Sequence, residues 1–588
     1  VVNKELMPFV AASFRPYKEN KAPPFSPSVA NWIRHRDFPI DWNKYRYVEC
    51  VPSGSYSSVS NYARPQPTYD KSIFSLAKEW MHRMFYPKMC GSAIADQEVI
   101  IEHTEKKKSP GFYWNKFFDD KGDFFAWSQS SKVLSDYWNI LANSDPLDSI
   151  CQVSDKVEGR PAEKLDQDPP SFRTFICDGV ERVIAGNRLC LDMNEKFYRT
   201  NLQTPSVVGR SKYGAGFHHM MEILLRFFLG FSIDFSKYDM SLFYDLLMAI
   251  AMFRFNCLRT IYQTDANKLR MLNYYETMIK GFLWLTRGDF VFKTTGNNSG
   301  QNSTIVDNTL ANYFILCYAF IDSFCKRFGR ENYDGEYQDL MNRWETMGVG
   351  DPDRFHVQER IFQLRDKVPS YAYFNQVVAP LLAGDDNTCG VDERVLSWFN
   401  VDTIALSLAS LGMKITSTYS EPVPVQRLDF LSHNFVTLPQ YPNIYLPSPD
   451  TTKVLCSLLK FGKSIDVRWS LLRAFALRLE SWANLDCRNY IKDYIEFAMR
   501  TYERELVGYV VVPGIKGDAI QITWDSCMQS YFTDEECEKL YYGFESASRL
   551  KFLSAFKLFE FCNIVDAVTN FLFTRNLNIN FFSRSFHQ

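Results

Sequence analysis

An α+β fold is predicted, a small antiparallel sheet backed by helices, and three stretches of sequence predict it. The dense apolar run Phe227 to Ile233 ends at an acid, Asp234, and helical patterning follows from Ser241 to Tyr262, so a buried strand hands over to a helix. The polar, glycine-bearing loop Thr294 to Gly300 opens a second helical stretch, Gln301 to about Phe324. Leu381 to Cys389 is short enough for a hairpin with Gly384 to Asp386 at its bend, although Pro380 limits pairing at its start. Asp402 to Leu411 is then amphipathic and stops at Gly412, a helix terminator. Strand, helix, helix, hairpin and helix in that order give the sheet one helical backing layer.

The flanking segments are read in the same way. Val1 to about Tyr69 carries nine prolines from Pro8 to Pro67 and few periodic runs, which predicts an extended arm laid over other parts. Helical patterning begins at Ile73 to Tyr86, and Phe172 to Ile176 alternates around Arg173 as a strand would. From about Thr451 onward the pattern is mostly helical, and the Phe- and Leu-rich stretch Leu550 to Phe582 reads as packing of a terminal helical domain.

With 588 residues, several subdomains are expected, and a hydrophobic fraction of 46% with 49 Phe and 32 Tyr supplies apolar surface for large cores. Lys and Arg total 66 against 68 Asp and Glu, a formal charge of -2, which excludes a passive nucleic-acid coat. Any RNA contact must use a locally basic channel. The 14 cysteines form no C-x-x-C pair and no zinc-like Cys/His spacing, so reduced thiols and no structural metal are expected. No window of eighteen uninterrupted apolar residues appears, and no transmembrane segment is expected.

Three motifs carry the chemistry. Asp234 ends the first strand and opens a motif that runs to Asp239, Ser299-Gly300 with Thr304 and Asn308 open the second helix, and Gly384-Asp385-Asp386 forms the hairpin bend. Nucleotidyl transfer uses two divalent ions about 3.5 to 4 Å apart, and Mg2+ takes hard oxygen ligands, so a few carboxylates suffice. Asp234 and Asp385 fit that role, with Asp386 as a more peripheral third ligand. Thr304 and Asn308 lie four apart and share a helix face. With Ser299 and Asp239, Asn308 can hydrogen-bond a 2'-hydroxyl, the group that separates RNA from DNA precursors. Ser299 can equally cap the helix. A Gly-Asp-Asp tripeptide alone is weak; the weight lies in all three motifs in one order.

At these residues the sequence resembles the RNA-dependent RNA polymerases of positive-strand RNA viruses, a right hand of fingers, palm and thumb. The run Gly296 to Gln301 with Ser303 to Leu310, and Arg173-Thr174-Phe175 followed by Asn187 to Tyr198, is similar to potyvirus replicases, with astrovirus polymerases next. The resemblance covers about Lys108 to Phe435. It implies an N-terminal arm and fingers extension over 1–105, fingers over 106–226, a palm over 227–450 with an interleaved fingers segment (263–298) and an insertion (328–369), and a helical thumb over 451–588.

The resemblance further implies that Lys156, Glu158, Arg160, Lys164, Arg173 and Arg182 line the NTP entry tunnel, where guanidinium groups pair with triphosphate oxygens. Ser109-Pro110-Gly111, with Gly300, is placed beside the template path. Lys414 corresponds to a lysine that protonates leaving pyrophosphate, and Phe430-Leu431-Ser432-His433 resembles a primer-grip turn. Read alone, each of these charges is a surface residue and Ser-Pro-Gly an ordinary turn. Implied cofactors are two Mg2+ (or Mn2+) ions. Implied partners are RNA template, nascent RNA and NTPs, with a protein primer and other viral replication proteins as candidates. The implied location is the host cell cytoplasm, in membrane-associated replication complexes. The last residues, Ser585 to Gln588, resemble a polyprotein cleavage site, and a boundary chosen for expression explains them as well. A reverse transcriptase and a catalytically silent RNA-binding scaffold are the competing readings.

Overall fold

The computed structural model describes residues 25–143, 149–285, 288–329, 340, 343–344, 346–348, 351–365, 369–417, 421–460, 465–513 and 519–543. The expected helical stretch 550–582, the first 24 residues of the arm and parts of the 328–369 insertion lie outside these residues.

The arm is more regular than its prolines suggested. Helices span Pro27–Arg34 and Pro52–Val59, each with proline in its first turn, where the missing N–H costs nothing. Between them β1 (Tyr45–Tyr47) runs beside a later strand. A long helix, Lys71–Met89, follows, capped by the Asp70 carboxylate.

One sheet forms from β2 (Ile150–Asp155), β4 (Thr174–Cys177), β6 (Gly281–Trp284) and β7 (Phe290–Lys293), in the order β4-β2-β6-β7. The short β3 (Gly159–Pro161) lies between β2 and β4 in sequence and pairs with β1. The central sheet is built on β5 (Leu229–Phe235) and the hairpin of β8 (Val378–Ala383) and β9 (Asp386–Val391). β10 (Ile415–Thr416) and β11 (Val423–Pro424) both pair with the outer edge of β5. The pairings of the central sheet are all antiparallel, whereas β2 and β6 of the first sheet run parallel. Pro380 is accommodated because β8 is an edge strand, so its missing N–H interrupts no second ladder.

Helices back this sheet as expected, with one correction. Ser241 to Tyr262 is not one helix: a short turn Tyr238–Ser241, a helix Tyr244–Cys257 and a 3-10 turn Thr260–Tyr262 replace it. The break falls at Leu242, whose carbonyl accepts hydrogen bonds from the Gly296 N–H and the Thr295 hydroxyl. A tertiary contact with the 294–300 loop therefore overrides the local periodicity. The helix Thr304–Phe328 is the one helix among the described residues long and apolar enough to cross a membrane, and nearly all of it is buried inside the protein. Its Leu310, Phe314, Ile321 and Phe324 pack into the main core, each such burial stabilising by roughly 1.5–3 kcal/mol.

β12 (Asp429–Phe430), β13 (His433–Leu438) and β14 (Tyr441–Pro449) form a small sheet leading into helices Thr451–Lys460, Val467–Glu480 and Leu485–Thr501. A hairpin of β15 (Tyr509–Pro513) and β16 (Ala519–Thr523) and the helix Asp534–Tyr542 complete the described chain. These C-terminal helices have their own core, into which Val29 and Trp32 of the arm insert.

Candidate active site

Strand register brings the two acidic motifs together. β5 pairs with β9 up to Ile233 opposite Asn387, so continuing the ladder by one residue sets Asp234 opposite Asp386. Asp385 lies in the two-residue bend between β8 and β9, where Gly384 adopts φ +68° and closes the turn. On the other side of β5, Thr416 lies opposite Asp234, and the Ser236 N–H donates to the Lys414 carbonyl. Lys414 is exposed and adjoins the end of the acidic strand.

The carboxylates feel one another. Solvent reaches Asp234 and Asp385, yet protein surrounds both, and this partial burial, reinforced for Asp234 by Asp429 and Asp385, pushes their pKa values up. Asp386 is raised by burial and then by Asp385 and Asp234. Burial followed by the Asp385 charge raises Asp239 to about 6. Clustered carboxylates that resist ionisation together are a donor set that a divalent cation would stabilise, and hard oxygens are what Mg2+ prefers. Among the described residues no three acidic, His or Cys side chains are already closed around one point.

Beside them, the Asn308 amide donates to the Asp239 carboxylate and accepts from the Asn297 amide at 2.9 Å. Gln301 joins Asn297 to Asp307, and Asp307 is paired with Arg254 at 2.7 Å with both side chains fully buried. Arg254 reaches Asn194, which donates to Ser303 at 3.1 Å. The glycine-bearing loop is thus held by a continuous polar network running from Asp239 through Asn308, Asn297, Gln301, Asp307 and Arg254 to Asn194 and Ser303.

Other members of the expected ribose-reading set are engaged elsewhere. The Thr304 hydroxyl donates to the Asn298 and Gln301 carbonyls, and Ser299 accepts from the Ile176 N–H at 3.3 Å. Ser299 is not the helix cap, a position taken by Ser303. Gly300 presses on β4 so closely that a Cβ would lie 2.1 Å from the Ile176 carbonyl oxygen. Asp239 and Asn308 are therefore the pair the structure brings into contact.

Among the basic residues, Arg173 is exposed and its charge opposes the raised pKa of Asp239, Asp385 and Asp386, so it faces the carboxylates. Lys156, Arg160 and Arg173 share Glu158 as a counter-ion at 3.0, 3.5 and 3.6 Å. Arg182 is a correction. It does not line a tunnel: its guanidinium is 1% exposed and bonds Tyr137, Thr277 and the Tyr274 carbonyl, with Asp178 at 3.7 Å. A charge one helical turn past β4 points into the protein because Val180–Arg199 packs there on other helices. Ser109-Pro110-Gly111 adjoins the same helix start: the Val180 N–H donates to the Pro110 carbonyl, and Gly111 (φ +80°) lies against the Asp178 backbone.

Several site residues escaped sequence reasoning. Asn312 donates to the Gly384 and Asp385 carbonyls at 2.9 and 3.1 Å, and Thr309 accepts from the Gly384 N–H. Asn312 continues the four-residue spacing of Thr304 and Asn308, a signal that was available. Asp429 adds a fifth carboxylate from β12, and Lys453 brings a positive charge near Asp386. Nothing in the local sequence marks either.

A small antiparallel sheet carrying opposed acids, flanked by the Asp239–Asn308 pair and by basic residues, can hold divalent cations and a phosphorylated ligand. The sequence model of the viral RNA-dependent RNA polymerases matches residues 45–476. The chain belongs to that family. It is 26% identical over 437 residues to a genome polyprotein of Zucchini yellow mosaic virus (strain Singapore), covering 73% of this chain and 12% of the polyprotein. It is 32% identical over 345 residues to the genome polyprotein of Beet mosaic virus, covering 59% of this chain and 9% of the polyprotein. The chain therefore spans about a tenth of the length of these curated relatives. Its fold is similar to that of the Sicinivirus 3Dpol RNA dependent RNA polymerase, with a TM-score of 0.59 and 14% identity over 88% of this chain and 98% of the other.

Proposed function

We propose that this chain copies RNA from an RNA template, adding ribonucleotides to a 3'-hydroxyl and releasing pyrophosphate, and so replicates a viral RNA genome. The observation that carries the reading is the setting of Asp234 against Asp385 and Asp386 across the β5–β9 ladder, with the Asp239–Asn308 pair alongside. Asp234, Asp385 and Asp386 are the residues that would hold two Mg2+ (or Mn2+) ions. When bound, such ions stabilise the attacking and departing oxygens of the transfer. Arg173, with Lys156 and Arg160, pairs with triphosphate oxygens. Asn308 and Asp239 orient the ribose through its 2'-hydroxyl, and Lys414 supplies a proton from Nζ to pyrophosphate. A polar acid at Asp239, where a DNA-making enzyme would use a bulky side chain, favours ribonucleotides.

Template, nascent RNA and NTPs are the partners of this reading. A protein primer, other replication proteins and membrane-associated complexes in the host cytoplasm extend it. The test is extension of a primed and an unprimed RNA template with NTPs or dNTPs while Mg2+ and Mn2+ are titrated. Ribonucleotide incorporation that depends on template and cation supports the reading. Absence of template-dependent synthesis under every condition overturns it.

A further inference from the structure

Two hydroxyls lie directly below the acidic pair. Ser232 and Thr388 are opposite each other in the β5–β9 register, and each is two residues from a carboxylate, Asp234 and Asp386. Side chains two apart in a strand share a face, so the hydroxyls and the acids stand on the same side of the sheet. Ser232 Oγ and Thr388 Oγ1 are hydrogen-bonded to each other across the ladder. Both also reach the main-chain carbonyl of Asp429, at 3.2 and 3.1 Å. Asp429 begins β12, and the turn that follows passes through Leu431 (φ +53°) and Ser432 (φ +60°) before β13 returns. Two consecutive non-glycine residues in the left-handed region are costly, so that turn needs outside contacts to hold its shape.

We propose that Ser232 and Thr388 are positioning residues that latch the Leu431-Ser432 turn to the strands bearing the catalytic carboxylates, and thereby fix where the RNA 3' end sits. The inference rests on the polymerase reading. Asp429, two residues before the turn, lies close enough to the acids for its charge to act on both Asp234 and Asp386, and β14 leads on into the C-terminal helices. On this proposal, a growing strand whose end meets the carboxylates lies against this turn.

Proton counting shapes the expectation. The two hydroxyls hold two protons for three contacts, so one hydroxyl donates to the other and the second donates to the carbonyl. Either hydroxyl alone can still reach Asp429, which makes the latch redundant. Thr388 is fully buried, and without both hydroxyls the Asp429 carbonyl loses its side-chain donors.

The experiment is single-nucleotide addition to a primed RNA template by the parent, Ser232→Ala, Thr388→Val, the double variant, and the exchange Ser232→Thr/Thr388→Ser. Each single variant should stay within about threefold of the parent, and the double variant should fall about tenfold at saturating NTP. KM for NTP and the Mg2+ half-saturation should stay within twofold. The exchange, which keeps both hydroxyls, should retain the parent rate. A double variant that extends RNA like the parent overturns the latch, and so does one that loses NTP affinity or Mg2+ response in step with rate. If the double variant does not fold, Ser232→Cys/Thr388→Val, which keeps the space filled but leaves no hydroxyl, decides: a rate reduced about tenfold at saturating NTP supports the latch, and the parent rate overturns it. A parent that cannot extend RNA defeats the polymerase reading instead.

Discussion

The side-chain amide of Asn312 donates to the carbonyl of Asp385, 3.1 Å away, and to that of Gly384 at 2.9 Å. A helix that lies mostly in the core thus also fixes the bend that carries Asp385. Asn312→Ala should lower the extension rate about tenfold and destabilise by about 1–3 kcal/mol, because the buried Gly384 carbonyl and the part-buried Asp385 carbonyl lose their side-chain donor. Steady-state kinetics with a thermal melt measures both. An unchanged rate removes Asn312 from the site.

Loss of a carboxylate from the opposed pair should be far more severe. Asp234→Ala and Asp385→Ala should each reduce extension by about a thousandfold or more, several kcal/mol of transition-state stabilisation being at stake. Both variants should remain folded, since the site is self-repulsive and removing one charge relieves Asp386. Circular dichroism alongside the extension assay distinguishes loss of chemistry from loss of fold.

Asn308→Ala should reduce the preference for ribo- over deoxyribonucleotides more than it reduces the maximal rate. The amide is the partner of Asp239, so Asp239→Ala should show a similar loss, and the double variant should be little worse than either. Competitive incorporation of NTP and dNTP reads the ratio directly. Independent, additive effects would place the two residues in separate roles.

Arg173 and Arg182 should behave in opposite ways. Arg173→Ala should raise KM for NTP with little change in melting temperature, whereas Arg182→Met should lower the melting temperature. The reason is position: one guanidinium is exposed beside the carboxylates, and the other is enclosed and bonded on several sides.

His433 gives the protein an acid limit. Its Nδ1 bonds the Leu431 carbonyl at 2.7 Å and must carry the proton there, while Nε2 has no hydrogen-bond partner among the described residues. Burial, then the nearby Lys212 charge, push its pKa down to about 3. Between about 6.5 and 3 the unfolded chain binds more protons than the folded one, so this contribution to stability is complete above pH 6.5 and is lost as pH falls. Melting temperatures of the parent and His433→Gln should converge as pH is lowered across that window. Parallel curves would contradict the assignment.

What sequence could and could not reveal follows from range. Asp234, Asp385 and the face carrying Asn308 were legible because strand ends, turn glycines and four-residue spacings are local. Arg182 was misplaced because a charged residue is read as exposed, and only tertiary packing supplies the Tyr137, Thr277 and Tyr274 partners that let it be buried. The break at Leu242 was invisible for the same reason, being imposed by a loop more than fifty residues away. Asp429 joined the acids through a sheet whose register no local pattern encodes.

The threading of the arm has a consequence for biosynthesis. Ser26 bonds Ser470 and Ser28 bonds Tyr494, across sequence separations of 444 and 466 residues, while β1 pairs with β3 much nearer in the chain. Translation therefore delivers the earliest of these residues long before the helices that enclose them. Trp32 and its neighbours wait, with apolar surface exposed, until the C-terminal helices emerge, and a ribosome stalled before residue 467 leaves them unsheltered and open to aggregation or a chaperone.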